Sequence, residues 1–484
     1  MYKHYINLFN KKEGCLLFNK QLNGGQSDNT NLFNNIETNI YKSNTGLTLL
    51  CIPNNDATIF SVGIYIRVGS LDENKDELGV AHFLEHMTFK GTGKYPGEKL
   101  IERLDDLGTS YNASTSYEYT NYYIHGLPQF KDELMTIILD MFFDPQIPEE
   151  TVDLERTVIM EEYKMRNDSK SMKQYKNLLK LVTIEKNKLY GRPIIGTKKC
   201  INTIDINDLN KFRKKYNDHN KVLITVSGNI NPSNIKLFIQ NIIQKEWLDN
   251  TFIFYDYNSL ERIDQKKFNT DLLLTTMKPK LSNRFIFEKI DGEQTNIGIH
   301  FPSWKSFTRK NIYLGIFSSI LSDRLYKIVR IKNGLAYGIN SELSVYDTYG
   351  LFSIYAGFDG KKIYKIIKLI FDELINLFKY GITEHELTKV KNSNLTQMMA
   401  DLQNQFTYFG IYSGNVAYNY TFYTPNEFVD IYNNVDINRI KYEIIRHIIN
   451  PEQLYMSVIG SIKPKNKKII RLFNYFYKEI RSIQ

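Results

Sequence analysis

Two stretches of this chain follow one pattern. Val222-Leu-Ile-Thr-Val-Ser-Gly228-Asn-Ile-Asn-Pro232 and Leu454-Tyr-Met-Ser-Val-Ile-Gly460-Ser-Ile-Lys-Pro464 are offset by 460 − 228 = 232 residues. Each is an apolar strand stopped by glycine, with a proline opening the helix that follows. A second pair, Gly108-Thr-Ser-Tyr111 and Gly334-Leu-Ala-Tyr337, has an offset of 337 − 111 = 226. Each leads into an alternating segment, Ala113 to Leu127 and Ile339 to Phe358, and then into Ile/Leu/Phe-rich helices at 131–143 and 362–379. Similar offsets require two homologous halves of about 200 residues, an ordinary domain size. A chain of 484 residues, 42% hydrophobic and 24% charged, can bury two such cores.

Residues 59–68 and 121–127 read as strands; 97–107, 131–143, 149–166 and 171–187 read as helices. They do not alternate strictly as βαβ. The expected class is α+β, each half a mostly antiparallel sheet with helices packed on it. The expected boundaries are a flexible extension at 1–36, a first half at 37–246, a linker or insertion at 247–284 and a second half at 285–484.

The chemistry concentrates in the first half. His82-Phe83-Leu84-Glu85-His86 reads H-x-x-E-H, the inverse of the H-E-x-x-H zinc motif. On a helix turning roughly 100° per residue, the two imidazoles lie about 40° apart with Glu85 beside them. With 8 histidines and 53 acidic residues in 484, chance supplies roughly 0.015 such matches. Gly79, Val80, Ala81, Phe83, Leu84, Met87 and Phe89 make the helix apolar. Imidazoles buried there need a partner, and a metal is one. The second half has no equivalent motif near 310–326, so its role is to close the site.

A catalytic zinc keeps three protein ligands and one open position. The third candidate lies in Pro148-Glu149-Glu150-Thr151-Val152-Asp153-Leu154-Glu155-Arg156-Thr157-Val158-Ile159-Met160-Glu161-Glu162. Proline followed by acids starts a helix. Glu155, Val158, Ile159 and Glu162 then share a face, and carboxylates on an apolar stripe call for a counter-charge.

His82-x-x-Glu85-His86, followed 162 − 86 = 76 positions later by Glu162 within Glu155-Arg-x-Val158-Ile159-x-x-Glu162, resembles the pitrilysin–insulinase family of zinc peptidases. Mitochondrial processing peptidases and their bacterial relatives belong to that family. The resemblance runs from about residue 38 to the C-terminus. It includes the loop Gly191-Arg-Pro-Ile-Ile-Gly-Thr197 and the segment Arg330-Ile-Lys-Asn-Gly334-Leu-Ala-Tyr337. It implies one Zn2+ per chain held by His82, His86 and Glu162, with Glu85 as general base and Glu155 orienting a ligand from behind. It implies that Arg330 and Tyr337 reach the substrate from the second half, across a chamber between the two. It further implies that Tyr111-Asn112-Ala113-Ser114-Thr115-Ser116-Tyr117 is an edge strand that takes the substrate as an added strand through Asn112 and Ala113.

The implied function is a metalloendopeptidase acting on peptides or unfolded polypeptide segments, as a homodimer or with a homologous partner chain. The alternatives are a non-catalytic scaffold subunit of a larger complex, and a presequence-processing subunit that needs a partner. Processing enzymes read arginine with acids shortly after the metal glutamate. Asp168-Ser-Lys170-Ser-Met-Lys173-Gln-Tyr-Lys176 is mostly basic instead, and no glycine-rich loop of the inactive partner type is present.

A net charge of +9 comes from dispersed lysines, with no nucleic-acid-binding signature and no apolar run of membrane-spanning length. Cys15, Cys51 and Cys200 are isolated, which suits a reducing compartment: intracellular, either cytoplasm or an organelle matrix. Residues 1–36 contain no arginine, which gives mitochondrial targeting little support.

Overall fold

The computed structural model describes residues 38–182, 192–247, 251–256, 284–292, 294–304, 309–346, 350–417 and 425–483. The extension at 1–36, Cys15, Gly191 and the tail of the helix expected at 171–187 lie outside them.

The first half contains β1 (Asn39–Ser43), β2 (Thr48–Pro53), β3 (Phe60–Ile66), α1 (Val80–Met87), α2 (Lys99–Asp106), β4 (Ser110–Thr115) and β5 (Thr120–Gly126). It continues with α3 (Lys131–Phe143), α4 (Glu149–Asp168), α5 (Lys170–Val182), β6 (Val222–Gly228), α6 (Pro232–Glu246) and β7 (Phe254–Asp256). The second half contains β8 (Phe285–Lys289), β9 (Gln294–Ser303), α7 (Arg309–Leu325), β10 (Ala336–Val345) and β11 (Gly350–Asp359). It ends with α8 (Ile363–Tyr380), α9 (Glu384–Gln403), α10 (Gln405–Ala417), β12 (Tyr455–Gly460) and α11 (Asn466–Ile483).

The two sheets run β4-β5-β3-β6-β2-β1-β7 and β10-β11-β9-β12-β8. The second repeats the first five positions of the first. In each, the glycine-ended strand, β6 or β12, lies antiparallel to one neighbour and parallel to the other. All other pairs are antiparallel. The fold is therefore α+β in two homologous halves.

The stretch 247–284 begins inside the first half. Phe252 and Phe254 are buried in its core, and β7 pairs with β1 through Tyr41, Lys42 and Ser43. Two phenylalanines two residues apart match a strand burying one face, a signal hidden by the polar residues around them.

One face of each sheet carries its own half's helices. The other face takes a helix from the opposite half. Along β2, Leu49 and Cys51 point into the first core, while Leu50 and Ile52 point the other way with Tyr65 and Leu223. Tyr408, Phe409 and Tyr412 of α10 cover that second face. A Cβ on Gly63 would stand 3.0 Å from the Phe409 ring, so glycine makes the room. Conversely, Leu178 and Leu181 of α5 pack with Leu351 and Tyr455 of the second sheet. The helices before them, α4 and α9, are each 20 residues long, and α5 and α10 are each 13, so the exchange is part of the repeat.

Inside the second half, Arg324 of α7 donates to Glu386 of α9 at 2.6 and 2.7 Å and to Glu373 of α8 at 2.9 Å. Burial pushes the Glu386 carboxyl up, but the hydrogen bonds from Arg324 and from Thr383 outweigh it and bring it down to about 2.

Two outcomes follow. Phe409→Ala, although it lies in the second half, should cost about 3–5 kcal/mol and raise hydrogen exchange in β3 and β6 of the first. The Glu386 carboxyl is depressed on folding, so its contribution is complete above about pH 4.5 and fades as pH falls toward about 2. Glu386→Gln should flatten the acid limb of a stability–pH curve in that window.

Candidate metal centre

Helix α1 is almost wholly inside: Val80, Ala81, His82, Phe83, Leu84 and Met87 are all buried. Its N-terminus is fixed from two sides. Glu73 accepts the Gly79 and Ala81 amides, each at 3.0 Å, which satisfies donors that the helix leaves open. The loop after α5 closes on the same turn. Gly79 has φ +100° and Gly196 φ +88°, and a Cβ on either would lie 2.6 Å or less from a carbonyl oxygen of the other segment. Only glycine permits this approach.

From that helix both imidazoles reach α4. His82 Nε2 lies 3.5 Å and His86 Nε2 3.7 Å from the same Glu162 oxygen, Oε2. The ring centroids of the histidines are 4.7 Å apart. Ligating atoms of His82, His86 and Glu162 all fall within 4.8 Å of one another, the one such group among the described residues. The other Glu162 oxygen accepts from Arg166 at 2.6 and 2.7 Å, which leaves Oε2 for the histidines.

Behind His86, Nδ1 meets Glu155 Oε1 at 2.7 Å, and the second Glu155 oxygen pairs with Lys90. A proton on Nδ1 directs the Nε2 lone pair toward Glu162 and His82, the tautomer a metal ligand needs. His82 Nδ1 is buried with no partner among the described residues. Glu85, on the same helix, accepts a hydrogen bond from Thr115, the last residue of edge strand β4.

The electrostatics favour a cation at this point. Burial, helped by His86, pushes His82 down to about 4, so it is neutral at neutral pH. Burial acts the same way on His86, but its contacts with Glu155 and Glu162 overcome this and raise it to about 9. Hydrogen bonding to His86 leads the terms that bring Glu155 and Glu162 each down to about 2. Two nitrogen donors and a carboxylate are the donor set of a catalytic zinc. The residues present fit that ion.

The remaining sequence candidates are elsewhere. Asn112 and Ala113 lie on β4, which among the described residues pairs only with β5, and Asn112 Oδ1 accepts the Ala113 amide at 2.8 Å. Arg330 lies in the helical segment Tyr326–Lys332 that precedes β10 and stacks over Tyr326 at 5.1 Å. Tyr337 opens β10 with 68% of its surface exposed. Among the described residues no hydrogen bond or ion pair joins either to His82, Glu85, His86 or Glu162. Val158 was expected on an apolar stripe of α4 but is 48% exposed; only Glu155 and Ile159 of that face are buried, because the stripe looks into the site. Sequence reading missed Lys90, Arg166, Thr115 and Glu73. Arg166 stands four residues after Glu162, a helical spacing that signals such a pair, whereas Lys90 pairs with Glu155 of a different helix and has no such signal. Thr115 and Glu73 carry no local signal.

A model described as insulinase, peptidase family M16, matches residues 49–198, and one described as the M16 inactive domain matches 203–394. The uncharacterized zinc protease YmxG of Bacillus subtilis is 28% identical over 368 residues, covering 75% of this chain and 84% of YmxG. An uncharacterized zinc protease of Rickettsia bellii is 27% identical over 406 residues, covering 82% and 92%. A protease from Helicobacter pylori superposes with a TM-score of 0.75 at 18% identity, covering 88% of this chain and all of that one. The first half of the periplasmic protease PqqL from Escherichia coli does so at 0.71 and 18%, covering 92% and 98%. At such identities the two structures show likeness of fold. Among the described residues no helix is long and apolar enough to cross a membrane.

Glu155→Gln removes the anion behind His86 while keeping its shape. Zinc affinity, read by competition with a chelator, should fall about 10- to 100-fold.

Proposed function

The chain belongs to the insulinase family of M16 peptidases, and on that premise we propose that it is a zinc-dependent metalloendopeptidase hydrolysing peptides or unfolded polypeptide segments. The observation that carries this reading is the convergence of His82, His86 and Glu162 within 4.8 Å, beside Glu85.

His82, His86 and Glu162 would hold one zinc per chain. Bound zinc would polarise the scissile carbonyl and lower the pKa of a water toward about 7. Glu85 takes the proton of the attacking water and returns it to the leaving amine. Burial pushes the Glu85 carboxyl up and the Thr115 hydrogen bond draws it back, which suits a group that must both accept and release a proton. Thr115 also fixes one carboxylate oxygen, so the base has one orientation. Glu155 and Lys90 hold the His86 ring, and Arg166 holds Glu162.

Edge strand β4 offers the substrate a backbone partner at Asn112 and Ala113, ending at the Thr115–Glu85 contact. For a strand to add there, the Asn112 side chain must release the Ala113 amide. Arg330 and Tyr337 are exposed on the second half, and their role is to steady the peptide or the developing oxyanion. Tyr337 begins the strand that repeats β4, which supports that assignment. A homologous second chain, as homodimer or heterodimer, belongs to the same reading. A scaffold subunit would have no use for a complete donor set backed by Glu155, Lys90 and Arg166.

Glu85→Gln should retain about one zinc per chain and lose about 100- to 10,000-fold in kcat on an unstructured fluorogenic peptide. His86→Ala should lose the zinc itself. A Glu85→Gln protein with full activity overturns the mechanism. A wild-type chain that holds no zinc and cleaves nothing returns the scaffold reading.

A further inference from the structure

The exchange of helices leaves a cavity of about 510 Å3 between α5 and the β10–β11 hairpin. Its floor follows from strand alternation. Ile339 of β10 points into the second core, and Ser341 bonds to Ser318 and Ser322 of α7 on that same side. Gly338, Asn340 and Glu342 therefore face the other way. Register places Tyr355 opposite Asn340 and Gly357 opposite Gly338, and Asn296 of β9 continues the row beyond Gly357. Gln174 of α5 forms the facing wall.

This lining selects for charge. Glu342 stands exposed at the cavity rim, with no ion pair among the described residues, and none of the described residues that line the cavity is a lysine or arginine. Partial desolvation by the cavity wall raises its carboxyl above the usual range. Asn296 Oδ1 is a buried acceptor without a donor. Gln174 Nε2, on a residue only 5% exposed, is a donor without an acceptor and suits a peptide carbonyl rather than the cation. Buried polar atoms are normally satisfied, so these mark a place built for a visitor. Met172 and Tyr175 supply the apolar wall that the stem of a long basic side chain covers.

The source of that side chain follows from the sheet. β10 is the end strand of its sheet and has one neighbour, β11. A peptide added along β10 would place every second side chain on the face of Gly338, Asn340 and Glu342, about 5 Å from its cross-strand partner. Accordingly we propose that this cavity is a subsite for a lysine or arginine side chain of the peptide substrate, with Glu342 as its counter-ion and β10 as its backbone guide. The proposal rests on the peptidase reading and adds a substrate class to it. The acidic group is on the second half, across the cavity from Met172, Gln174 and Tyr175 in the lysine-rich start of α5.

The test uses twelve-residue unstructured peptides, identical except for arginine or citrulline at one scanned position. Cleavage is measured on the zinc-loaded full chain, and binding to the Glu85→Gln protein by fluorescence anisotropy. At one or two positions, arginine should be favoured over citrulline by tenfold or more in both measurements. Glu342→Gln should reduce that preference to within about twofold while citrulline peptides are cleaved as before. Gly338→Leu, whose Cβ would meet no atom within 4 Å, should raise KM for the arginine peptide and leave kcat in place. A preference that survives Glu342→Gln, or its absence at every position, overturns the subsite. If no peptide is cleaved but arginine-dependent binding is lost in Glu342→Gln, the subsite stands and the peptidase reading falls.

Discussion

The oxygen Oε2 of Glu162, shared between two imidazoles, sets the terms for everything around it. A carboxylate facing two nitrogen lone pairs in a partly buried site is tolerable only with positive charge among them. A proton on His86 supplies that charge, and a divalent cation would supply it in its place. The outer groups hold the arrangement open to either. Lys90 offsets Glu155, Arg166 occupies the far side of Glu162, and Glu73 anchors the helix that carries both histidines. Losing any of them leaves a carboxylate or an amide of the site without its partner and weakens the arrangement.

The second organising fact is that neither half is self-sufficient. Each sheet has one face covered by its own helices and one covered by a helix of its twin. Coupling between halves is therefore made of core packing, with rings such as Tyr408 and Phe409 only 1% and 2% exposed. A rigid link of this kind keeps α1, α4 and edge strand β4 in register with the exposed residues of the opposite half. It also creates the α5–β10 cavity, because a helix borrowed from elsewhere covers the polar outer face of the second sheet incompletely.

Much of the site was readable because it is local. His82, Glu85 and His86 lie within one helical turn and a half, and apolar flanks show that they are inside. Glu162 and Glu155 required a second helix and the resemblance to a family, since spacing along α4 says nothing of which helix it meets. The repeat was legible as a strand ending in glycine, and β6 and β12 do occupy equivalent places. Contacts between distant segments were not legible. The Thr115 hydroxyl on Glu85, Glu73 beneath Gly79, and the crossing of α10 onto β2 and β3 depend on tertiary placement alone. Val158 shows the same limit in reverse: an apolar residue at helical spacing, turned toward an open site rather than a core.

The borrowed helix has a consequence for synthesis. β6 is complete at Gly228, but α10, which covers the outer face of its sheet, ends at Ala417, 417 − 228 = 189 residues later. At about 5–20 residues per second, the nascent first half stands for roughly 10–40 s with Leu50, Ile52, Tyr65 and Leu223 bare to water. Until the ribosome delivers the sequel, the half that owns the metal ligands is an unfinished, sticky intermediate. The first half made alone would keep that apolar face exposed permanently.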